Sequence, residues 1–276
     1  MTSQFKTALL MILMSALVIA IGVAAGGRTG LFLALAFALV MNIGSYWFSD
    51  KIVLGLYKAK ELEAYDSPML HSMVDELAQK AGLPKPKIYL VPQDAPNAFA
   101  TGRDPEHAAL AVTEGILKIL SPNELRGVLA HEMGHIANRD ILIQTVVAVM
   151  ASCITSLAYM LKFGAIFGGR DSRGAGFAPL ILAILAPIAA VLIQMGISRS
   201  REYGADSTGA ELSGEPAALA SALAKLSASA QKLPMQAQES TAHMFIVNPL
   251  SGGFASLFST HPPVEERIAR LRAMQK

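Results

Sequence analysis

The chain is short of charge. Asp, Glu, Lys and Arg make up 16% of its 276 residues, where a soluble domain carries about 25%. Hydrophobic residues fill 53%, and the mean hydropathy is +0.42. These values exclude an ordinary soluble protein and make membrane spans the first thing to look for. The formal net charge is only +2, so the charge balance gives no support to nucleic acid as a partner. Cysteine is nearly absent, with Cys153 alone inside an apolar run. A single cysteine excludes an intrachain disulfide framework and fits a catalytic part facing a reducing compartment. Internal repeats and long low-complexity tracts are absent too.

What is present is four long apolar runs, at about 8–25, 31–48, 141–161 and 177–197. Each suits a helix crossing a ~30 Å hydrocarbon core. GGRTG links the first two, and Tyr46-Trp47 has the character of an interfacial anchor. A signal peptide is the alternative reading of the first run, with Lys6 before it and small residues after. The second run close behind favours a helical hairpin. The chain thus divides into a transmembrane hairpin (1–49), a polar part (50–140), a second hairpin (141–197) with Pro187 as a kink, and a second polar part (198–276). Residues 51–140 hold ten Lys and Arg and residues 198–276 hold eight, while the opposite side would hold Arg28, Lys162, Arg170 and Arg173. The positive-inside rule therefore places both termini and both polar parts in the cytosol.

Within the polar parts, Ser67 and Pro68 open a helix, KIYLV (87–91), NAFATG (97–102) and AALAVT (108–113) have strand character, and SPNE (121–124) is a capping box with proline at the first helical position. The third apolar run is expected to continue the helix begun at Ser121 without a break. An alanine-rich helix, a loop around NPLSGGFASLFSTHPP and a last helix from VEERIARLRAM complete the chain.

The helix from Ser121 carries AHEMGHIANRD (130–140). Residues four apart share a helix face, so His131 and His135 reach one metal ion, with Glu132 beside them. Imidazole donors suit Zn2+, and three protein ligands leave one position open for chemistry. A third histidine six residues after His135 is excluded, because Ile141 stands there. Glu202 is the best candidate on height. At 1.5 Å per residue, His135 lies roughly 9 Å before the third run and Glu202 roughly 7–8 Å after the fourth, so antiparallel spans bring them level. Asp206, one turn on, suits a hydrogen bond to the far nitrogen of a ligand histidine. His261, held between a Gly-rich loop and two prolines, and Tyr203 are alternative donors to a developing oxyanion. Arg267 most simply pairs with a carboxylate and is given no catalytic role. His71, His107 and His243 have no partners at useful spacing. Gln144, Ser152, Thr155 and Ser156 suggest helix–helix contacts in the third span.

HEMGH, SRSREYGAD, NAFATG and STHPPVEERI, in this order and among four apolar runs, resemble the HtpX family of bacterial membrane zinc metalloproteases. That family is related to the CAAX prenyl proteases and belongs to the glutamate-ligand zincins. The resemblance covers nearly the whole chain. It implies a mainly α integral membrane protein, with four transmembrane helices and a cytosolic α+β zincin-like (gluzincin) catalytic domain carrying a small β-sheet. It implies one Zn2+ per chain held by His131, His135 and Glu202, Glu132 as general base, and an edge strand at Asn97, Ala98 and Phe99 that holds an extended substrate. The implied substrates are misfolded or damaged membrane proteins and unfolded polypeptides, cut on the cytosolic side of a bacterial inner membrane. A catalytically idle membrane adaptor and a CAAX-type prenyl-peptide protease are the alternatives.

Overall fold

A computed structural model describes residues 3–167, 199–233, 240–247 and 262–275. The first two apolar runs form one element, α1 (Ser3–Trp47), broken at Gly27, whose φ of 56° favours glycine. Its limbs, Gln4–Val23 and Gly27–Trp47, are each long and apolar enough to cross a membrane. A Cβ on Gly30 would run into the Gly22 carbonyl, so only glycines allow this close crossing. Apolar residues face outward along the second limb, with Phe32 64% and Val40 70% exposed. That surface suits lipid rather than water.

After α2 (Ser49–Leu56) comes a four-stranded mixed sheet of β1 (Lys60–Glu61), β2 (Lys87–Val91), β3 (Ala98–Thr101) and β4 (Ala109–Thr113), in the order β1-β2-β4-β3. β2 and β4 run parallel, while β1 and β3 are antiparallel additions at the two edges. Strand alternation gives the sheet two buried faces. Ile88, Ala98, Ala100, Leu110 and Val112 pack on α3 (Pro68–Ala81), α5 (Pro122–Ala137) and α8 (Pro216–Lys232). Val91, Phe99, Ala109 and Ala111 pack on α2 and on α6 (Ile141–Phe167). α4 (Glu114–Ile119), α7 (Arg199–Ser213) and α9 (Val264–Ala273) complete the helices among the described residues. A third core joins α1 to α6 through Leu10, Met14, Met41, Val146 and Met150.

The expectation of an unbroken helix from Ser121 into the third apolar run is corrected here. α5 and α6 meet at an angle of 89°. Arg139 has a φ of 57°, and the Asn138, Arg139 and Asp140 amides turn back to the Gly134, Ile136 and His135 carbonyls. A left-handed non-glycine residue ends the helix, and the polar triplet Asn138-Arg139-Asp140 supplies the turn. α5 is therefore no straight extension of a span. Two helices qualify as spans among the described residues, and a third does only if α5 and α6 count as one bent span. The expected fourth span at 177–197 lies outside the described residues.

α5 begins as expected, with Ser121 and Glu124 completing a reciprocal capping box. The structure adds a tie that spacing does not show. Glu124 also accepts bonds from Ser221 at 2.6 Å and Lys225 at 2.8 Å, both on α8. Burial would raise its pKa, but Lys225 and the hydroxyl and amide donors outweigh burial and lower it to about 2. A depressed carboxylate pKa gives stability that is present above the unfolded value, 4.5, and is lost as pH falls toward 2. About 2–3 kcal/mol should vary with pH in this window. The stability difference between wild type and Glu124→Gln, followed by thermal unfolding in detergent, should therefore be large at pH 6 and shrink by pH 3. A constant difference would show that Glu124 acts through shape alone.

Candidate active site

Small residues set the site's geometry by letting α5 and α7 approach closely. A Cβ on Gly209 would stand 2.8 Å from the backbone of His131, and one on Gly134 would stand 3.0 Å from the Ala205 carbonyl. This contact places Glu202, in the first turn of α7, opposite the histidines of α5. The His131 and His135 rings lie 4.8 Å apart at 86°. Nε2 of His131 is 3.8 Å and Nε2 of His135 is 3.5 Å from the Glu202 carboxylate. One ligand atom from each of the three residues lies within 4.8 Å of the others, and all three residues are buried.

The far nitrogens face acids. Nδ1 of His131 is 2.9 Å from Asp206, and Nδ1 of His135 is 3.6 Å from Asp140. An acid at Nδ1 favours the proton there and leaves the Nε2 lone pair turned toward Glu202. Nε2 of His131 is buried without a hydrogen-bond partner among the described residues. Two imidazole lone pairs and a carboxylate converging in a buried space fit a divalent cation, and this donor set suits zinc.

Glu132 is buried beside the pair. The Ala100 amide of β3 bonds to its carboxylate, and its Oε1 lacks a hydrogen-bond partner among the described residues. Burial raises its pKa to about 7, and Glu202 adds to this while His135 opposes it. Burial works against a charged His135, yet Glu202, Asp140 and Glu132 outweigh it and raise its pKa to about 8. For His131, burial outweighs Asp206 and lowers the pKa. A bound cation would favour the neutral imidazoles and the ionised acids throughout.

Arg267 pairs with a carboxylate as expected, but sequence reasoning did not identify the partner or its place behind the metal site. Its side chain, on α9, is wholly buried. It grips both oxygens of Asp206, at 2.8 and 2.7 Å, donates to the Ile246 carbonyl at 2.8 Å and lies 3.7 Å from Glu202. Burial would raise the Asp206 pKa, but Arg267 and His131 outweigh burial and lower it to about 2. The available signal was the position of Arg267, one helical turn past the prolines of THPP. Asp140 was missed as well, because the expected unbroken helix hid the turn that carries it back to His135.

Tyr203 is placed elsewhere than the metal side of α7. The Arg270 guanidinium lies 3.8 Å over its ring, and its hydroxyl bonds to Glu266 of α9. His261 lies outside the described residues. Asn97, Ala98 and Phe99 lie at the edge strand β3, which packs against α5, but all three are buried. Of the polar residues of the third span, the side chains of Thr155 and Ser156 lie outside the described residues. Ser152 bonds to Ser240 at 2.8 Å, and the Gln144 carbonyl lies 3.0 Å from His243.

The model of peptidase family M48 matches residues 64–275, which include every one of these site residues. The chain belongs to peptidase family M48. It is similar to the "Protease HtpX homolog" of Syntrophobacter fumaroxidans, 55% identical over 282 residues covering 99% of this chain and 100% of that one. The "Protease HtpX homolog" of Desulfatibacillum aliphaticivorans is 56% identical over 277 residues, covering 98% and 89%. The likeness to the HtpX family drawn from the motifs thus holds over almost the full length. In fold, the chain resembles the crystal structure of S. mikatae Ste24p, with a TM-score of 0.54 at 19% identity. That match takes in 97% of this chain and 65% of the other. As an M48 member with two apolar helices fit to span a bilayer, the chain is a membrane-bound peptidase.

Proposed function

We propose that this M48 chain is a zinc endopeptidase that cuts exposed segments of misfolded or damaged membrane proteins on the cytosolic side of a bacterial inner membrane. The observation that carries the proposal is the convergence of His131, His135 and Glu202, with Glu132 and an edge strand alongside. The Lys and Arg distribution supports the cytosolic side, and the resemblance of the motifs to the HtpX family supports the substrate class. His131, His135 and Glu202 would hold the ion. Bound there, zinc lowers the pKa of water and polarises a carbonyl.

The chain's own groups supply the rest. Glu132, at its carboxylate, takes the proton of the attacking water and delivers it to the leaving amine. Asp206 and Asp140 hold the two imidazoles in one tautomer and orientation. Arg267 keeps Asp206 ionised and aimed. β3 offers its backbone to an extended peptide, with the Asn97 amide beside it. His261 is the proposed donor to the developing oxyanion, on the strength of its place in the sequence directly before two prolines. Tyr203 is given no step, because its hydroxyl is engaged by Glu266.

The test is a metal titration of the full chain, purified in detergent with a chelator and then mixed with casein. Cleavage should begin only as zinc is added and should saturate at one zinc per chain, counted by mass spectrometry. Casein carries no prenyl group, so cutting it also separates this reading from a lipidated-peptide protease. One bound zinc with no cleavage would instead support an idle adaptor. No bound zinc would overturn the ligand set.

A further inference from the structure

The outer edge of β3 is already engaged. Asn97 and Phe99 turn their backbone groups toward β4, which leaves those of Ala98 and Ala100 facing outward. The Ala98 amide is bonded by its neighbour's Asn97 Oδ1 at 3.1 Å, and the Ala100 amide by Glu132. The Ala98 carbonyl accepts the Ile246 amide at 3.3 Å. The Asn97 side-chain amide donates to the Val247 carbonyl at 3.0 Å. The two groups best suited to hold a substrate backbone therefore hold a segment of this chain.

The rest of that segment, which follows a single 3-10 turn at Ala242–Met244, is buried against the same edge. Ile246 and Val247 join the core on the α5 side of the sheet, while Met244 and Phe245 join the core on the opposite side. The side chains thus reach both cores in consecutive pairs, so the segment lies along the edge as an irregular chain and not as a regular added strand. The Phe245 ring lies 5.2 Å from Phe99 and 5.3 Å from Tyr57, edge-on to both. Arg267, the residue that grips Asp206, also holds the Ile246 carbonyl. These holds come from Tyr57 at the end of α2, from β3 and from α9.

We propose that residues 244–247 occupy the substrate's lane along β3, with Phe245 standing in for a large apolar side chain of an extended polypeptide, and that substrate pairs with β3 only by displacing them. The inference rests on the peptidase reading above. It adds a resident competitor and an apolar subsite, formed by Tyr57 and Phe99, to that reading.

Two measurements test it on the full chain in detergent. In the first, the zinc-loaded Glu132→Gln variant is followed by hydrogen–deuterium exchange with and without saturating β-casein. Peptides spanning 240–247 should exchange at least fivefold faster once casein is bound. Unchanged or slower exchange with casein bound overturns the proposal. In the second, Phe245→Ala leaves Tyr57, Phe99 and the zinc residues intact, and kcat/KM for casein should rise three- to tenfold, mainly through KM. Equal or lower kcat/KM at one zinc per chain overturns it, and if the variant does not fold the exchange result decides. If zinc-loaded wild type neither binds nor cuts casein, the peptidase reading fails and takes this proposal with it. If wild type cuts while residues 240–247 stay protected, this proposal fails alone.

Discussion

Exchanging Glu132 for Gln should leave one zinc per chain and lower casein cleavage on the order of 10²–10⁴-fold. The amide keeps the size of the carboxylate, and Glu132 stands apart from the three converging ligand atoms. The metal site should therefore survive the change. What is lost is a group able to take a proton at the carboxylate, together with the charge that accepts the Ala100 amide. A buried amide has no comparable basicity at any working pH. His135→Ala provides the contrast, because it removes a donor and should lose zinc and cleavage together. Normal cleavage by the glutamine variant would remove Glu132 from the proposed chemistry. Loss of zinc from it would mean that Glu132 supports the ligand set itself.

Truncating Arg267 to Ala should cost about 3–5 kcal/mol of stability, because it strands the buried Asp206 carboxylate without its cation. Asp206 is 4% exposed and Arg267 0%, so water cannot replace the lost partner. Lys should rescue poorly, since the guanidinium bonds both Asp206 oxygens at once, at 2.8 and 2.7 Å. The paired replacement Arg267→Met with Asp206→Leu separates the two roles of the network. Removing both charges should restore most of the stability. It leaves His131 Nδ1 without an acid, so zinc affinity should stay 10–100-fold low. Thermal unfolding gives the first quantity, and competition against a chromogenic chelator gives the second. Arg267→Ala with unchanged unfolding and unchanged zinc affinity would show that the network is incidental.

Several parts of this protein follow from the chain's local order alone. The spacing of His131 and His135 makes them neighbours on any α-helix, and Ser121-Pro122 with Glu124 starts that helix in any context. The first two apolar runs have the length and composition of spans, and the strand at 87–91 follows from its β-branched and aromatic content with nearby proline. All of these depend on interactions within a few residues. Glu202 was chosen by matching heights on two straight helices. The structure does set it opposite the histidines, but by another route, since α5 bends away from α6 by 89°.

Tertiary structure decided the rest. Arg139 takes its left-handed turn between two helices that pack in different cores. Gly209 matters because the backbone of His131 lies against it, 78 residues away in sequence. A carboxylate partner for Arg267 was expected, but only the packing of α9 onto α7 selects Asp206, where desolvation forces the two to pair. The edge of β3 looked open because the family resemblance implied an edge strand that holds substrate, whereas only the folded chain brings Ile246 and Val247 onto it. Each of these joins residues far apart in sequence, and what selects them is close packing and the cost of leaving buried polar groups unpaired. Periodicity and short motifs report the local order of a chain, and neither of those two effects leaves a trace in them.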